Sequence, residues 1–357
     1  MNSKHFKNKK VIITGHTGFK GAWLTIVLHV LGAKIMGISL KPNTKPSLFE
    51  ILGIKNKVNN NFLDITNKKV LEKKIISFKP DYIFHLAAQP LINISYAKPY
   101  LTWQSNLIGF INIIETVLKL KKKCVCVLVT SDKCYENNEK ISGYTETDRL
   151  GGIDPYSASK AAAEISFKSY FKSYLKHSKH LIATARAGNV IGGGDWNKGR
   201  IIPDCITMAA ANKKVKIRNI NSSRPWQHVI EIVFGYLNLA ICLKKNKKIN
   251  GESFNFGPKK NKIIKVNEIL KNIKKTWPNF KWVALKTSNL KNETNLLVLN
   301  CKKSEKYLKW KLRLNFSKTL KLTLEWYKYY FQNQNNSKKI TLFTIKQIHQ
   351  YIKILNL

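Results

Sequence analysis

Residues Lys10–Thr14 (KVIIT) form a short β-branched run, followed at once by Gly15-His-Thr-Gly-Phe-Lys-Gly21 and then by an apolar, helically spaced segment, Ala22–Leu31. Strand, glycine turn and helix in that order leave the chain few folds to choose from. Gly15 permits the tight turn, Gly18 lets backbone N–H groups approach a pyrophosphate, and Gly21 lets the helix pack closely on the strand. An ordinary βα turn needs no such triplet, so the segment reads as the start of a dinucleotide-binding α/β unit.

Further short apolar runs follow at regular intervals. Lys34–Leu40 reads as the second strand, Asn61–Thr66 as the third, Tyr82–Ala88 as the fourth, Val125–Val129 as the fifth and Leu181–Ala185 as the sixth. A helix carrying Asn106 is expected over Thr102–Leu120, and an Ala-rich one from Tyr156 to about Tyr174. Such alternation implies an α/β fold, a Rossmann-like doubly wound parallel sheet, with a smaller mixed α/β part toward the C-terminus. The expected division is 1–185, with a returning segment at about 226–256, for the dinucleotide, and 186–225 plus 257–357 for the substrate. Residues 332–339 read as the longest polar linker, and Thr341–Leu357 as a final docked helix.

Ligands bind beyond the carboxyl ends of the strands in such sheets. Gly15, Ala88 and Ser131 all fall at those ends and converge on one cleft. The second strand ends in Leu40-Lys41-Pro42 rather than in an acid, so the motif alone does not choose between NAD and NADP. Asp64, at the third strand's end, suits an adenine amino group.

Thr130–Lys160 then supplies the parts for proton transfer: Thr130, Ser131, Asp132 and Lys133 after an apolar strand, and Tyr156 with Lys160 at the start of a helix. Tyr156 and Lys160 lie one turn apart on one face. A cation held close would stabilise the phenolate and lower its pKa from about 10, making a usable base. The chain is so rich in lysine that 14 tyrosines yield such spacings by chance, and Tyr307/Lys311 is a second one. That second pair sits far from any glycine turn and is read as accidental.

Charge argues less than it first suggests. The net charge is +43, yet only six of the 63 basic residues are arginine, and the lysines are spread along the whole chain. No RNA-binding aromatic signature or zinc-finger spacing accompanies them, so no nucleic-acid partner is expected. The six cysteines show no C-x-x-C pair and no metal spacing, which fits free thiols and implies no metal. The apolar run Trp23–Ala33 is shorter than the roughly 20 residues of a membrane span, and the N-terminus lacks a signal-peptide core. A cytoplasmic protein without a membrane partner is the expectation.

The glycine motif, the Ser after the central strand and the Tyr/Lys pair together resemble the extended short-chain dehydrogenase/reductase family, whose NAD-dependent epimerases and dehydratases act on sugar nucleotides. The strings GHTGFKG, HLAAQP, TSDKCYEN, DPYSASKA, RAGNVIGGGDW and RPWQHV carry the likeness, from about Val11 to Tyr330. Epimerases of the family have small or neutral residues after the Ser, and dehydratases an acid/base pair. Asp132-Lys133 places this chain with the nucleotide-sugar 4,6-dehydratases, with a 4-epimerase as the alternative.

The resemblance implies NAD as cofactor and CDP-glucose as substrate. It makes Tyr156 the base, Ser131 the hydroxyl that orients the sugar, and Lys160 the residue that holds the nicotinamide ribose. Asp132 would protonate the departing C6 hydroxyl, and Lys133 would serve C5, as base or by steadying the enolate. Cofactor contacts are implied for Gly15, Thr17, Gly18, Phe19, Lys20, Gly21, Asp64, Ile65, Leu86, Ala87, Ala88, Asn106 and Thr130, besides Tyr156 and Lys160. Substrate contacts are implied for Gln89, Ser131, Asn189, Arg200 and Arg224. The segment Gly192-Gly-Gly-Asp-Trp196 is expected to shape the base pocket, and His228 to be structural. A homodimer, or a dimer of dimers, is implied through the helices bearing Asn106 and Tyr156.

Overall fold

The computed structural model describes residues 3–217, 219–220, 222–258, 264–285 and 296–355. Seven parallel strands form its central sheet: β1 (Lys10–Thr14), β2 (Lys34–Ser39), β3 (Asn59–Phe62), β4 (Tyr82–His85), β5 (Val125–Val129), β6 (Leu181–Ala187) and β7 (Ser253–Phe256). Their spatial order is β7-β6-β5-β4-β1-β2-β3. The order reverses at β1, which lies between β2 and β4. In a doubly wound sheet that reversal opens the crevice in which ligands sit.

Helices cover both faces, which is why the central strands are apolar throughout instead of alternating. On one face, Val125, Val127 and Val129 pack with Ala183 and Ala185 against α1 (Phe19–Val30) and α3 (Val229–Lys245). On the other, Cys126, Leu128 and Ile182 pack against the helices Lys68–Phe78 and Gly109–Leu118 and against α2 (Pro155–Ser173). Two C-terminal helices, α4 (Phe316–Gln332) and α5 (Ser337–Ile354), extend the first of these cores.

The start of α2 is dictated locally. Asp154 caps it, accepting from the Ser157 N–H at 3.0 Å and from the Ser157 hydroxyl at 2.6 Å, and Pro155 occupies the first turn. That cap fixes which turn carries Tyr156 and, one turn on, Lys160.

Three expectations change. Thr102–Leu120 is not one regular helix: Pro99–Trp103 leads into a π turn, Gln104–Ile108, before Gly109–Leu118 continues. The widened turn lets Asn106 reach across to other elements. The final helix begins at Ser337, capped by Asn336, so the polar linker shrinks to residues 333–336. The chance pair Tyr307/Lys311 is not on one helix at all, because Lys302–Leu308 ends in a left-handed Lys309.

Candidate active site

The turn after β1 is built around absent side chains. A Cβ on Gly21 would lie 2.0 Å from the carbonyl oxygen of Gly15, and one on Gly15, whose φ is +76°, 2.7 Å from the Ala87 nitrogen. Gly18 caps α1 without a side-chain hydrogen bond, so the first N–H groups of that helix are left for an anion. Thr17 shares a hydrogen bond with Ser39 at 2.8 Å and donates to the Leu40 carbonyl at 3.0 Å, which fixes the turn to the end of β2. Leu86, Ala87 and Ala88, half-buried after β4, close the far side, with Thr14 Oγ1 accepting from the N–H groups of Leu86 and Ala87. This cradle fits a dinucleotide, and Phe19 and Lys20 open the helix above it.

Beyond β5 the chain turns through Ser131 into the one-turn helix Asp132–Cys134. The Ser131 hydroxyl donates to Asp132 Oδ1 at 3.0 Å and is close enough to the Tyr156 phenol to lower its pKa. All three residues are buried. Burial pushes the Asp132 carboxyl above its ordinary value, against the pull of Lys133, Ser131 and Lys20. The carboxyl is therefore disposed to carry a proton, as an acid catalyst must.

Tyr156 departs from expectation. Burial pushes its phenol up to about 12, the Ser131 hydrogen bond opposes that, Asp132 reinforces it and Arg200 opposes it. Burial is the largest influence on the phenol, and Ser131 and Arg200, not Lys160, are the groups that lower it. Lys160 is itself pulled down to about 8, first by burial and then by Lys20. Lys20 is likewise brought to about 8, by burial and Arg200, with Asp132 and Asp195 resisting. Lys20, Lys160 and Arg200 thus crowd one cleft around Asp132 and Tyr156. Such an excess of positive charge suits a diphosphate.

The remaining predicted residues fall into two groups. Arg200 joins the cleft, its Nη1 donating to Asp195 Oδ2 at 2.8 Å. Asn189 is half-buried just after β6. The side chain of Arg224 lies outside the described residues. Others are already engaged by the protein. Asn106 accepts from the Gln89 N–H at 2.7 Å and donates to the Gln89 carbonyl and to Ser159, so its amide binds α2 to the β4 loop. Gln89 donates to Thr102 and accepts from the Leu91 N–H, turned into its own loop. Asp64 is exposed and accepts from the Thr66 N–H, while Ile65 is buried against Gly109.

The triple-glycine loop owes its composition to packing. A Cβ on Gly193 would lie 2.0 Å from the Trp326 ring, and one on Gly194 2.4 Å from Leu48. Trp196 packs among Tyr327, Tyr330 and Phe331, and Tyr327 donates to the Asp195 carbonyl at 2.6 Å. The loop is thereby locked to α4 and presents Asp195 to Arg200.

A buried network escaped the sequence reading. Glu164, one turn past Lys160, accepts from Thr130 at 2.5 Å, from Thr184 and Ser253 at 3.0 Å, and from Arg186 at 2.7 Å. Arg186 also donates to the Tyr135 hydroxyl at 2.8 Å, and Tyr135 donates to Asn255 at 2.7 Å. The signal was available, since Tyr156, Lys160 and Glu164 repeat at four-residue spacing on one helical face.

A family model described as GDP-mannose 4,6 dehydratase matches residues 12–323. The CDP-glucose 4,6-dehydratase of Salmonella typhimurium is 38% identical over 94% of this chain and 95% of that protein. The human dTDP-D-glucose 4,6-dehydratase is 26% identical over 93% of each. Among solved structures, the dTDP-glucose 4,6-dehydratase of Bacillus anthracis in complex with NAD superposes with a TM-score of 0.72 at 22% identity, over 90% of this chain and 97% of that one. The UDP-glucose 4-epimerase of Thermotoga maritima, with UDP-glucose, gives a TM-score of 0.78 at 21% identity, over 90% and 99%. At these identities the two structures speak for the fold.

Proposed function

The chain belongs to the GDP-mannose 4,6-dehydratase family, and we propose that it converts CDP-D-glucose to CDP-4-dehydro-6-deoxy-D-glucose and water, as an NAD-dependent hydro-lyase. Its likeness along nearly the full length to a CDP-glucose 4,6-dehydratase supports the substrate. The observation that carries the chemistry is the buried Asp132 carboxyl, held toward its neutral form beside Ser131 and Tyr156. A 4-epimerase needs no acid there.

Bound NAD supplies the hydride acceptor for C4 and the hydride donor for C6. We assign to Tyr156 the removal of the C4 hydroxyl proton and to Ser131 the orientation of that hydroxyl. The ketone at C4 acidifies the C5 hydrogen, and Asp132 gives its proton to the C6 hydroxyl, which leaves as water. Lys133 serves C5. As the base it would take the C5 proton as water leaves from C6, and its ammonium form would then steady the enolate. Gly15, Gly18 and Gly21 with the N-terminus of α1 would hold the pyrophosphate, and Lys160 the nicotinamide ribose. Arg200, Asn189 and Arg224 are assigned to the substrate side.

The division of labour follows the sheet: residues 1–185 with 226–256 for the cofactor, the remainder for the sugar nucleotide. No helix among the described residues is long and apolar enough to cross a membrane, and we place the protein in the cytoplasm. A homodimer is supported by Tyr100, Trp103, Ile108 and Ile165, all partly or fully exposed on the two neighbouring helical segments expected to pair. Incubation with CDP-glucose and NAD⁺ tests the activity: the 4-keto-6-deoxy product absorbs in alkali, whereas an epimerised product does not and would overturn the reading.

A further inference from the structure

Thr14 ends β1 and His85 ends β4, and the two stand side by side in the register of those neighbouring strands. Both are buried, and Thr14 Oγ1 lies 2.7 Å from Nδ1 of the His85 ring. The same oxygen accepts from the N–H groups of Leu86 at 3.2 Å and Ala87 at 3.3 Å. Leu86 also donates to the Thr14 carbonyl, at 3.1 Å. One hydroxyl thus holds the first two residues past β4. They lie directly across from the glycine turn, since a Cβ on Gly15 would sit 2.7 Å from the Ala87 nitrogen.

A hydroxyl carries one proton and two lone pairs. Leu86 and Ala87 take the two lone pairs, so the proton of Thr14 is left for His85. Nδ1 is then the bare nitrogen of the ring, and the ring hydrogen sits on Nε2. The opposite tautomer would bring a third donor to an oxygen with two lone pairs, and a backbone N–H would lose its place. A protonated ring would do the same, and its surroundings oppose one: burial first, and then the charge of Lys160, pull the imidazole down to about 3. Phe110 packs against the ring at 5.6 Å between centroids and a steep 63°, which holds the ring in place.

We propose that His85 is a positioning residue for the cofactor: its bare Nδ1 takes the Thr14 proton and so turns both lone pairs of that hydroxyl onto the β4 loop. The backbone of Leu86 and Ala87 is thereby fixed across from the glycine turn, as the far wall of the dinucleotide cradle. Without an acceptor at Nδ1 the hydroxyl rotates to place its proton elsewhere, a lone pair leaves the loop, and that wall loosens. Neither side chain has to touch the nucleotide for this. The inference rests on the NAD reading for what the cradle holds, whereas the place of the hydrogen on the ring stands without it.

The test is NAD⁺ affinity, measured by calorimetry on the full-length protein freed of nucleotide, together with the tautomer of His85, read by nitrogen NMR of isotope-labelled histidine. The ring signals are assigned by their loss in His85→Asn. The wild type should show Nδ1 bare and Nε2 protonated. His85→Leu and Thr14→Val should each weaken NAD⁺ binding about tenfold, the worth of one hydrogen bond. The double variant should lose no more than either alone, because both cut the same chain of hydrogen bonds. His85→Asn, which offers an amide oxygen where Nδ1 lay, and Thr14→Ser should bind nearly as the wild type does. Lowered thermal stability with unchanged affinity would make the pair merely structural and overturn the proposal, as would a protonated Nδ1 or losses that multiply in the double variant. Should His85→Leu fail to fold, the isosteric Thr14→Val and the wild-type ring still decide. A wild type that binds no NAD⁺ would sink the cofactor reading and the proposal together, whereas binding that the variants leave unmoved sinks the proposal alone.

Discussion

Thr130 Oγ1 donates to Glu164 Oε1 at 2.5 Å, joining the residue before Ser131 to the residue one turn beyond Lys160. The end of β5 and α2 are thus held in register by a carboxylate that is itself neutralised by Arg186, both side chains being fully buried. Glu164→Gln keeps the shape and removes the charge, leaving the guanidinium uncompensated, at a cost of about 3–5 kcal/mol. Burial raises the Glu164 carboxyl, but Arg186, Thr130 and Ser253 together bring it below its ordinary 4.5. Its stabilising contribution is therefore present above that pH and lost as pH falls below it. Denaturant midpoints of wild type and Glu164→Gln measured across the acid range should converge at low pH. A constant difference would show that the ion pair does not carry the stability.

Asp132→Asn should still bind NAD, since the backbone approach of Gly15, Gly18 and Gly21 does not involve that carboxyl, whose charge reaches the turn only through Lys20. Dehydration should fall by about 10²–10⁴-fold, the usual worth of a positioned acid. A CDP-glucose analogue with fluorine in place of the C6 hydroxyl offers a leaving group that departs without a full proton. Fluoride release from that analogue should be far less impaired than water loss from the natural substrate. Equal losses on both would place the role of Asp132 elsewhere.

The legible parts of this molecule are those whose cause is local. The glycine spacing after β1 is set by backbone approach, and Asp154-Pro155 sets the start of α2, so both could be read without a structure. The π turn at Gln104–Ile108 could not be, because its cause is remote: Asn106 must reach Gln89 and Ser159. The burial of Tyr156 was hidden as well, since spacing reveals a neighbouring lysine and says nothing of how deeply the phenol lies.

The exposed Trp103 and Ile108 on one helical segment and Ile165 on α2 give the assembly a direct test. Replacing Ile108 and Ile165 by arginine places charge where a helix-to-helix interface would bury it, and a buried unpaired charge costs several kcal/mol. Sedimentation velocity should show the wild type as a dimer or larger and the double variant as a monomer with unchanged circular dichroism. A wild-type monomer would remove the pairing surface.

Arg200 answers to two partners at once, held by Asp195 at 2.8 Å and acting on Tyr156 from across the cleft. Its guanidinium is one of the influences that lower a phenol otherwise pushed to about 12. Arg200→Gln should therefore move the phenol further up and leave less of the base at neutral pH. With Tyr156 as the base, the rising, acid-side limb of the kcat profile should shift to higher pH, because a base acts only after losing its proton. If Arg200 also grips the diphosphate, KM should rise at every pH by about ten- to a hundredfold, the range of one charge-assisted hydrogen bond. The two effects separate in one experiment: a shifted kcat limb with constant KM assigns Arg200 to the phenol, and a raised KM with an unshifted limb assigns it to the substrate. Arg200→Lys, which keeps the charge but loses the planar fork, should restore the limb more fully than the KM.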